Sequence, residues 1–494
     1  MAPKRRAPME LAPSDFRRLG HVLVDHIADF LETLPSRPVV PALSPAELRQ
    51  RVGQTGLPAT GAAPEEIIDR AARLLFESSL FNGHPRFMGY ITSSAAPIGV
   101  LAELLAASVN PNCGGFTLSP VATVIEEQTV AWIAELVGAA PGSSGLLVSG
   151  GNMANMVAFW AARAAKATWP MRTDGIGAAS APRMTAYCSA ETHTWVQKAA
   201  DLSGLGTDAV RWIPVDRDQR MRVDELRAQI AADRAAGLLP FLVVGTAGTV
   251  ATGAVDPLEE IADVCEAEGL WFHVDGAYGA PAVLVPDAPR DLAAMRRADS
   301  IAVDPHKWLY APLEAGCTLV RDAAYLRGAF SYTPDYYHFH EGVAEPPPNY
   351  YEYGPQNSRG FRALKVWMGL QQVGRDGYAQ MIGEDMRLSR ELFALAQAHP
   401  EIEAVTQSLS IATFRYVPPG VDPASPASLE PLNRLNEQVL ERVQAGGTAF
   451  VSNAMLNGRF LLRSCIVNFR TDASDLHLVI DAVVAAGRAL SGGR

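Results

Sequence analysis

The first part of the chain carries apolar residues at a helical period. From Ser14 to Leu34 the apolar positions recur every three or four residues, and Ser14 can cap the first turn. A second helical pattern runs from Pro64 to Leu80, after a stretch rich in proline and glycine. An apolar face on such a segment needs a surface that covers it. We therefore predict that residues 1–96 form a helical arm that packs on a second subunit.

The middle of the chain alternates short apolar runs with helical patterns. Short runs rich in β-branched and aromatic residues are typical of buried strands, and the alternation with helices predicts an α/β fold with a mostly parallel sheet. We expect a large domain over residues 97–374 and a small α+β domain over residues 375–494. The predicted strands are 145–149, 185–189, 241–245, 271–274, 300–303 and 317–321, and the predicted helices of the large domain are 96–109, 119–137, 152–167 and 361–374.

Composition and charge narrow the class of protein. The 494 residues carry a formal net charge of -11, which disfavours a nucleic-acid partner because phosphate binding needs a basic stripe. No apolar run reaches the ~18 residues of a membrane span, and the N-terminus lacks the apolar core of a signal peptide. The five cysteines are scattered without a Cys-x-x-Cys pair, which favours a reducing compartment over disulfides or a zinc site. We expect a cytoplasmic protein without a metal.

A lysine in an apolar run indicates cofactor chemistry. Lys307 follows Asp304 and His306, and a lysine among apolar neighbours is costly to bury without a role. Its amine can condense with the aldehyde of pyridoxal phosphate (PLP). Asp275, at the end of a predicted buried strand, can keep the pyridine nitrogen protonated so that the ring accepts electrons. The small residues after Asp275 leave room for a flat ring against Ala277, although an aspartate here could instead cap a helix.

Two loops that follow predicted strands complete the candidate cofactor site. Residues 149–155 read Ser-Gly-Gly-Asn-Met-Ala-Asn, and glycines at a strand-to-helix turn let backbone N–H groups approach a phosphate. His193 follows the next predicted strand, where its ring could stack on the cofactor. Each feature taken singly also occurs without a ligand. Together with Asp275 and Lys307, they predict one PLP site.

The chain resembles the group II PLP-dependent decarboxylases, which include aromatic L-amino acid, histidine and glutamate decarboxylases. The most specific motifs are Pro-His-Lys-Trp at 305–308, His-Val-Asp at 273–275 and Arg-Gly-Phe-Arg-Ala-Leu-Lys at 359–365. The resemblance implies PLP fold type I with a seven-stranded sheet, and an obligate homodimer with its active sites at the subunit interface. The residues that it implies around PLP are Gly151, Asn152, Met153, Asp304 and His306 near the phosphate, His193 and Ala277 against the ring, Asp275 at the pyridine nitrogen and Lys307 as the covalent anchor.

The resemblance also implies a reaction and a substrate. Tyr336 falls where decarboxylases of this family have a loop tyrosine that protonates the carbanion, and its presence with His193 favours decarboxylation over aldehyde formation. Ser358 falls where a serine accompanies phenolic or imidazole substrates, which favours tyrosine, DOPA or phenylalanine over tryptophan. The positions implied around the substrate are Asn82, Tyr90, Ile91, Ser93, Gly114, Phe116 and Ser358, with Phe116 reaching in from the other subunit.

We therefore predict decarboxylation of an aromatic L-amino acid to the arylalkylamine and carbon dioxide. Three alternatives stay open from the sequence. The first is decarboxylation of glutamate or another non-aromatic amino acid, and the second is an aromatic aldehyde synthase. The third is a catalytically silent protein of the same fold that serves as an interaction scaffold.

Overall fold

Two long amphipathic helices lie at the start of the chain. The computed structural model describes residues 7–53, 56–179, 181–332 and 347–492. Helices α1 (Pro13–Thr33) and α3 (Pro64–Ser78) lie where the apolar period predicts them. The apolar period does not predict α2 (Pro45–Val52), because this helix has no buried residue. Its start is fixed instead by Ser44 and Glu47, whose side chains cap each other's backbone N–H groups.

A seven-stranded sheet forms the centre of the large domain. The strands are β1 (Ser144–Val148), β2 (Met184–Ser189), β3 (Val210–Ile213), β4 (Leu239–Thr246), β5 (Trp271–Asp275), β6 (Ser300–Val303) and β7 (Gly316–Val320). Their order is β1-β7-β6-β5-β4-β2-β3. Neighbours from β6 to β3 pair in parallel, whereas β7 is antiparallel to β1 and β6. Six strands lie where the sequence predicts them, and the edge strand β3 is the exception.

Both faces of this sheet are buried, which explains why its strands are mostly apolar. Along β4, Val243 lies in one apolar cluster, and its neighbours Leu242 and Val244 lie in another on the opposite face. The helices of the large domain that precede the C-terminal region are α4 (Pro97–Val109), α5 (Pro120–Leu136), α6 (Gly151–Lys166), α7 (Met171–Asp174), α8 (Trp195–Leu202), α9 (Val223–Ala235), α10 (Leu258–Glu268) and α11 (Ala323–Phe330). Within the described ranges, no helix is long and apolar enough to cross a membrane.

The strand directions bring the candidate site residues to one edge of the sheet. Because β2, β4, β5 and β6 are parallel, their carboxyl ends meet at the same edge. Strand β5 ends there at Asp275, and β2 ends there four residues before His193. Strand β1 runs in the direction of β6, since both are antiparallel to β7. The glycine turn after β1 therefore reaches the same edge.

A broken helix leads from the large sheet to a small domain. Helix α12 (Arg362–Ala398) departs from helical geometry at Gly374, where φ is +65°, so the predicted end of the helix coincides with a break and not with its terminus. The small domain adds an antiparallel sheet of order β10-β11-β9-β8 and two helices. Its elements are β8 (Ile402–Ser408), β9 (Ile411–Tyr416), α13 (Leu429–Gly446), β10 (Ser452–Leu456), β11 (Arg459–Cys465) and α14 (Ala473–Ser491). The predicted fold class is confirmed.

Candidate active site

The glycine turn packs so tightly that side chains are excluded from it. A Cβ atom on Gly151 would lie 2.5 Å from the Asp304 Oδ2 atom and 3.0 Å from the Ala277 Cβ atom. Gly150 has a φ of +114°, a backbone conformation that only glycine adopts readily. Helix α6 begins at Gly151, so its first N–H groups are without intrahelical partners. The turn is therefore a shallow backbone cradle at a helix N-terminus, as an anion requires.

Lys307 lies beside a buried carboxylate. Its Nζ atom is 2.9 Å from Asp304 Oδ2, and Asp304 is almost fully buried. The other oxygen, Oδ1, is buried without a hydrogen-bond partner among the described residues. The His306 Nδ1 atom lies 2.6 Å from the Ala315 carbonyl oxygen, and burial lowers the pKa of His306, so its ring is neutral at pH 7. A lysine amine, a neutral imidazole and an unsatisfied carboxylate oxygen thus lie around the glycine turn.

Asp275 and His193 face the same cavity, Asp275 from the end of β5 and His193 from the loop after β2. The Asp275 Oδ2 atom accepts a 2.7 Å hydrogen bond from the Trp195 indole N–H, and the Ala277 backbone N–H donates weakly to Oδ1 over 3.3 Å. The His193 Nδ1 atom accepts from the Trp195 backbone N–H at 3.2 Å. Burial lowers the pKa of His193 despite the nearby carboxylate of Asp275, so this ring is also neutral near pH 7.

One cavity collects most of the predicted cofactor residues. Its lining residues are Ile91, Gly151, Asn152, Asn155, His193, Thr246, Gly248, Val250, Asp275, Ala277, Tyr278 and Lys307. Asp304 contacts both Lys307 at 2.9 Å and His306 at 3.7 Å, and Met153 is in the first turn of α6 with its side chain against a neighbouring apolar cluster. Five of these lining residues were not predicted as site residues from the sequence: Asn155, Thr246, Gly248, Val250 and Tyr278. Only the position of Thr246 at the end of β4 could have indicated it, by the strand-end rule that selects Asp275.

The predicted substrate positions fall into two groups in a single chain. Ile91 lines the cavity, and Ser93 donates its hydroxyl to the His306 carbonyl oxygen at 2.9 Å. Tyr90 precedes them with a φ of +51°, and its carbonyl oxygen accepts from the Arg463 Nη1 atom at 3.0 Å. Asn82 lies further away, in an apolar groove under α1. Tyr336 lies outside the described residues.

The second group forms a wall that does not line the cavity of its own chain. Gly114 packs directly against the backbone of Asn357, next to Ser358, so that a side chain at Gly114 would clash. The Phe116 backbone N–H donates to the Asn349 side chain at 3.2 Å. This wall therefore joins residues 112–116 to residues 349–359.

A buried ion pair holds that wall against the large sheet. Arg359 pairs with Glu126, and both side chains are almost completely inaccessible to solvent. The Arg359 guanidinium also donates to the carbonyl oxygens of Cys113 at 2.8 Å and Leu147 at 2.6 Å. Leu147 belongs to β1, so the cation connects the wall to the strand that ends at the glycine turn.

The conserved domain of pyridoxal-dependent decarboxylases matches residues 45–417. The chain belongs to this family. It is 33% identical to an aromatic-L-amino-acid decarboxylase of Bacillus atrophaeus over 98% of both chains. It is 26% identical to tyrosine decarboxylase 1 of Narcissus pseudonarcissus over 92% of this chain and 88% of that one. The crystal structure of Oryza sativa TDC with PLP and tryptamine superposes with a TM-score of 0.90 at 25% identity, covering 98% of this chain and 100% of that one.

As a family member, the protein is a PLP-dependent carboxy-lyase. The residues present fit this cofactor on two observations. The backbone cradle at Gly151 leaves no room for a side chain but exposes unpaired N–H groups to a phosphate. The only strong hydrogen bond that a described residue donates to the Asp275 side-chain carboxylate occupies Oδ2, so Oδ1 remains available to a protonated ring nitrogen. The recognition of the family and of the cofactor from the sequence motifs is thereby confirmed.

Proposed function

We propose that the protein decarboxylates an aromatic L-amino acid, with tyrosine, DOPA and phenylalanine favoured over tryptophan, to the arylalkylamine and carbon dioxide. The observation that supports it best is the single cavity lined by Lys307, Asp275, His193 and the turn at Gly151, in a chain of the decarboxylase family. When bound, PLP supplies an electron sink for the charge left on Cα by the departing carboxylate. A catalytically silent scaffold would have no use for a lysine held 2.9 Å from a buried aspartate.

Each residue of the candidate site would have a separate role toward PLP. The N–H groups at Gly151 and Asn152 would bind the phosphate, with His306 beside them. Asp275 would hold a proton at the ring nitrogen through Oδ1, and the carboxylate would be more effective because it is buried. His193 would lie against the ring as a neutral imidazole.

Lys307 would anchor PLP through its amine, would exchange this bond for one to the substrate amino group and would later release the product. Asp304 lies 2.9 Å from the Lys307 amine and can hold it as an ammonium after displacement. Tyr336, assigned by family resemblance, would return a proton to Cα.

The substrate preference depends on Ser358, and a substrate panel tests it. Purified enzyme with PLP is offered tyrosine, DOPA, phenylalanine, tryptophan, histidine and glutamate, and carbon dioxide, amine and hydrogen peroxide are measured together. We expect kcat/KM for tyrosine or DOPA to exceed that for tryptophan by about tenfold, as a single pocket contact can provide. Ser358→Gly should bring the ratio of kcat/KM for tyrosine to kcat/KM for tryptophan closer to one.

Two results would contradict the proposal in different ways. A preference for glutamate would refute the aromatic substrate, and peroxide in proportion to carbon dioxide would indicate an aldehyde synthase. If Ser358→Gly leaves the ratio of tyrosine to tryptophan unchanged, Ser358 does not determine the side-chain preference.

We propose that two copies associate, so that the wall of one chain completes the cavity of the other. An unpartnered apolar face supports this proposal. Leu101, Leu104 and Leu105 on α4 are each 52% exposed, although Ala102 and Ala106 on the other face of the same helix are buried. The positions at Gly114, Phe116 and Ser358 would lie near a substrate only if a partner contributed them. The arm, residues 1–96, would cover part of the leucine face, since α1 borders Leu101 and Leu104.

A sedimentation measurement tests the dimer. We expect twice the 52.9 kDa of one chain at micromolar concentration. Leu104→Asp together with Leu105→Asp should shift the protein toward one chain and reduce decarboxylation, because two charges would be buried at the interface. Leu478→Asp, at a 42% exposed leucine on α14, is the control and should leave the mass unchanged. A wild-type mass of one chain would contradict the proposal.

A further inference from the structure

We infer that Trp195 is a positioning residue for the candidate active site, since it fixes both the Asp275 carboxylate and the His193 ring. The inference rests on the proposed function, and it concerns a residue that does not itself line the cavity. The indole N–H donates to Asp275 Oδ2 at 2.7 Å, and the backbone N–H of the same residue donates to His193 Nδ1 at 3.2 Å. One residue thereby holds the two side chains that would face the cofactor, one from the end of β5 and one from the loop after β2.

Among the described residues, Asp275 is the only one that accepts a hydrogen bond from the indole. Trp195 is completely buried and packs edge-on against Phe159 and His273, with ring centroids 6.4 Å and 5.7 Å away. A buried indole N–H needs an acceptor, and a phenyl ring would fill the same apolar space without one. Packing alone therefore does not explain an indole at this position, whereas its hydrogen bond to Asp275 does.

The neighbouring imidazole cannot replace the indole as the donor to Asp275. Burial lowers the pKa of His273 to about 4, so the ring is neutral and carries one N–H. That N–H is on Nε2 and donates to the Asn155 Oδ1 atom at 2.7 Å. The Nδ1 atom accepts from the Ser300 hydroxyl at 2.8 Å, and the Ser300 oxygen in turn accepts from the Trp271 indole at 2.8 Å. Both nitrogens of His273 are thus occupied.

The bond to Oδ2 determines how Asp275 can act. With Oδ2 held by the indole, Oδ1 has, among the described residues, only the 3.3 Å contact with the Ala277 N–H. Without the indole donor, the carboxylate would be free to rotate about its Cβ–Cγ bond. The bond to His193 acts on the proton of that ring. Because Nδ1 accepts from the Trp195 backbone, a neutral His193 carries its proton on Nε2.

The test is Trp195→Phe in the full-length enzyme, with Trp160→Phe as the matched control. Trp160 packs against the same apolar cluster, but its indole donates to the Ser203 hydroxyl at 2.9 Å, away from Asp275. The measurements are the PLP dissociation constant of the apoenzyme, the visible absorbance of the holoenzyme from pH 5 to 9, kcat and KM, and the melting temperature of the apoenzyme.

We expect Trp195→Phe to raise the PLP dissociation constant about tenfold and to lower kcat about tenfold, as losing a hydrogen bond to a charged group implies. KM should change less than twofold, and the pH dependence of the cofactor absorbance should shift. Trp160→Phe should change none of these. Trp195→His, which keeps a ring N–H, should recover part of the lost affinity.

Each negative result has a distinct meaning. A wild-type protein that neither binds PLP nor decarboxylates would overturn the proposed function. A wild-type protein that does both, while Trp195→Phe keeps its affinity, absorbance and kcat, would overturn only the role of Trp195. If neither Trp195 variant folds while Trp160→Phe does, the residue serves the core alone, and the inference is likewise refuted.

Discussion

Replacing Lys307 with alanine is expected to abolish decarboxylation, with a loss of at least about 10³-fold in kcat, the scale of removing an essential acid, base or nucleophile. The physical reason is that no other amine of the described residues lines the cavity. The fold should persist, because the Lys307 side chain is partly accessible to solvent and its ion pair with Asp304 lies at a site built for function. Amine and carbon dioxide release under saturating tyrosine would measure the effect.

The mass of the protein chain after reduction distinguishes loss of the covalent bond to PLP from misfolding. After borohydride reduction, the wild-type chain should retain PLP covalently, whereas Lys307→Ala should not. Lys166→Ala is the control, since that amine donates to the Gly269 carbonyl oxygen at an exposed site. Steady-state turnover by Lys307→Ala near the wild-type rate would refute the proposed mechanism.

The second large effect is expected on stability, at the buried pair of Arg359 and Glu126. Arg359→Met should lower the free energy of unfolding by about 3–5 kcal/mol, since it leaves a buried carboxylate without its counter-charge. The backbone oxygens of Cys113 and Leu147 would also lose their donors. Urea denaturation followed by tryptophan fluorescence, at equal protein concentration and saturating PLP, would measure the change.

An exposed arginine provides the comparison. Arg387 pairs with Glu384 and Glu391 on the surface of α12, and such pairs contribute only about 0–1 kcal/mol. Arg387→Met should therefore have little effect on the unfolding midpoint. Combining Arg359→Met with Glu126→Gln should recover part of the lost stability, because the unpaired charge is then removed. Equal midpoints for Arg359→Met and Arg387→Met would show that the buried pair is dispensable.

The strands that could be predicted from the sequence are those whose side chains are buried on both faces of the sheet. Six strands of the large sheet are almost entirely buried, because helices cover both faces. Strand β3 escaped prediction since it is a four-residue edge strand in which Arg211 and Trp212 are partly exposed. Helix α2 escaped because its signal is the capping pair Ser44 and Glu47 and not an apolar period. Such short signals are difficult to recognise in a sequence, and the capping pair of α2 follows a proline-rich stretch.

The candidate site was predictable where its residues are close in the chain or at strand ends. Asp304, His306 and Lys307 are neighbours in sequence, and Asp275 ends a strand. The bond from Trp195 to Asp275 joins residues 80 positions apart. This hydrogen bond depends on the order of β2, β4 and β5 in the sheet, and the spacing of apolar residues in the sequence does not reveal that order. Sequence reasoning therefore identified the carboxylate but not the donor that orients it.

The two N–H groups of Trp195 also limit how much motions of the fold change the distance between the Asp275 and His193 side chains. If separate residues held Asp275 and His193, small displacements of β5 and of the loop after β2 would add up in the distance between the two side chains. Because both bonds begin on one fully buried residue, a shift of α8 moves their anchor points together. The spacing between the carboxylate and the imidazole thus depends on the packed conformation of a single amino acid and not on the separate positions of two.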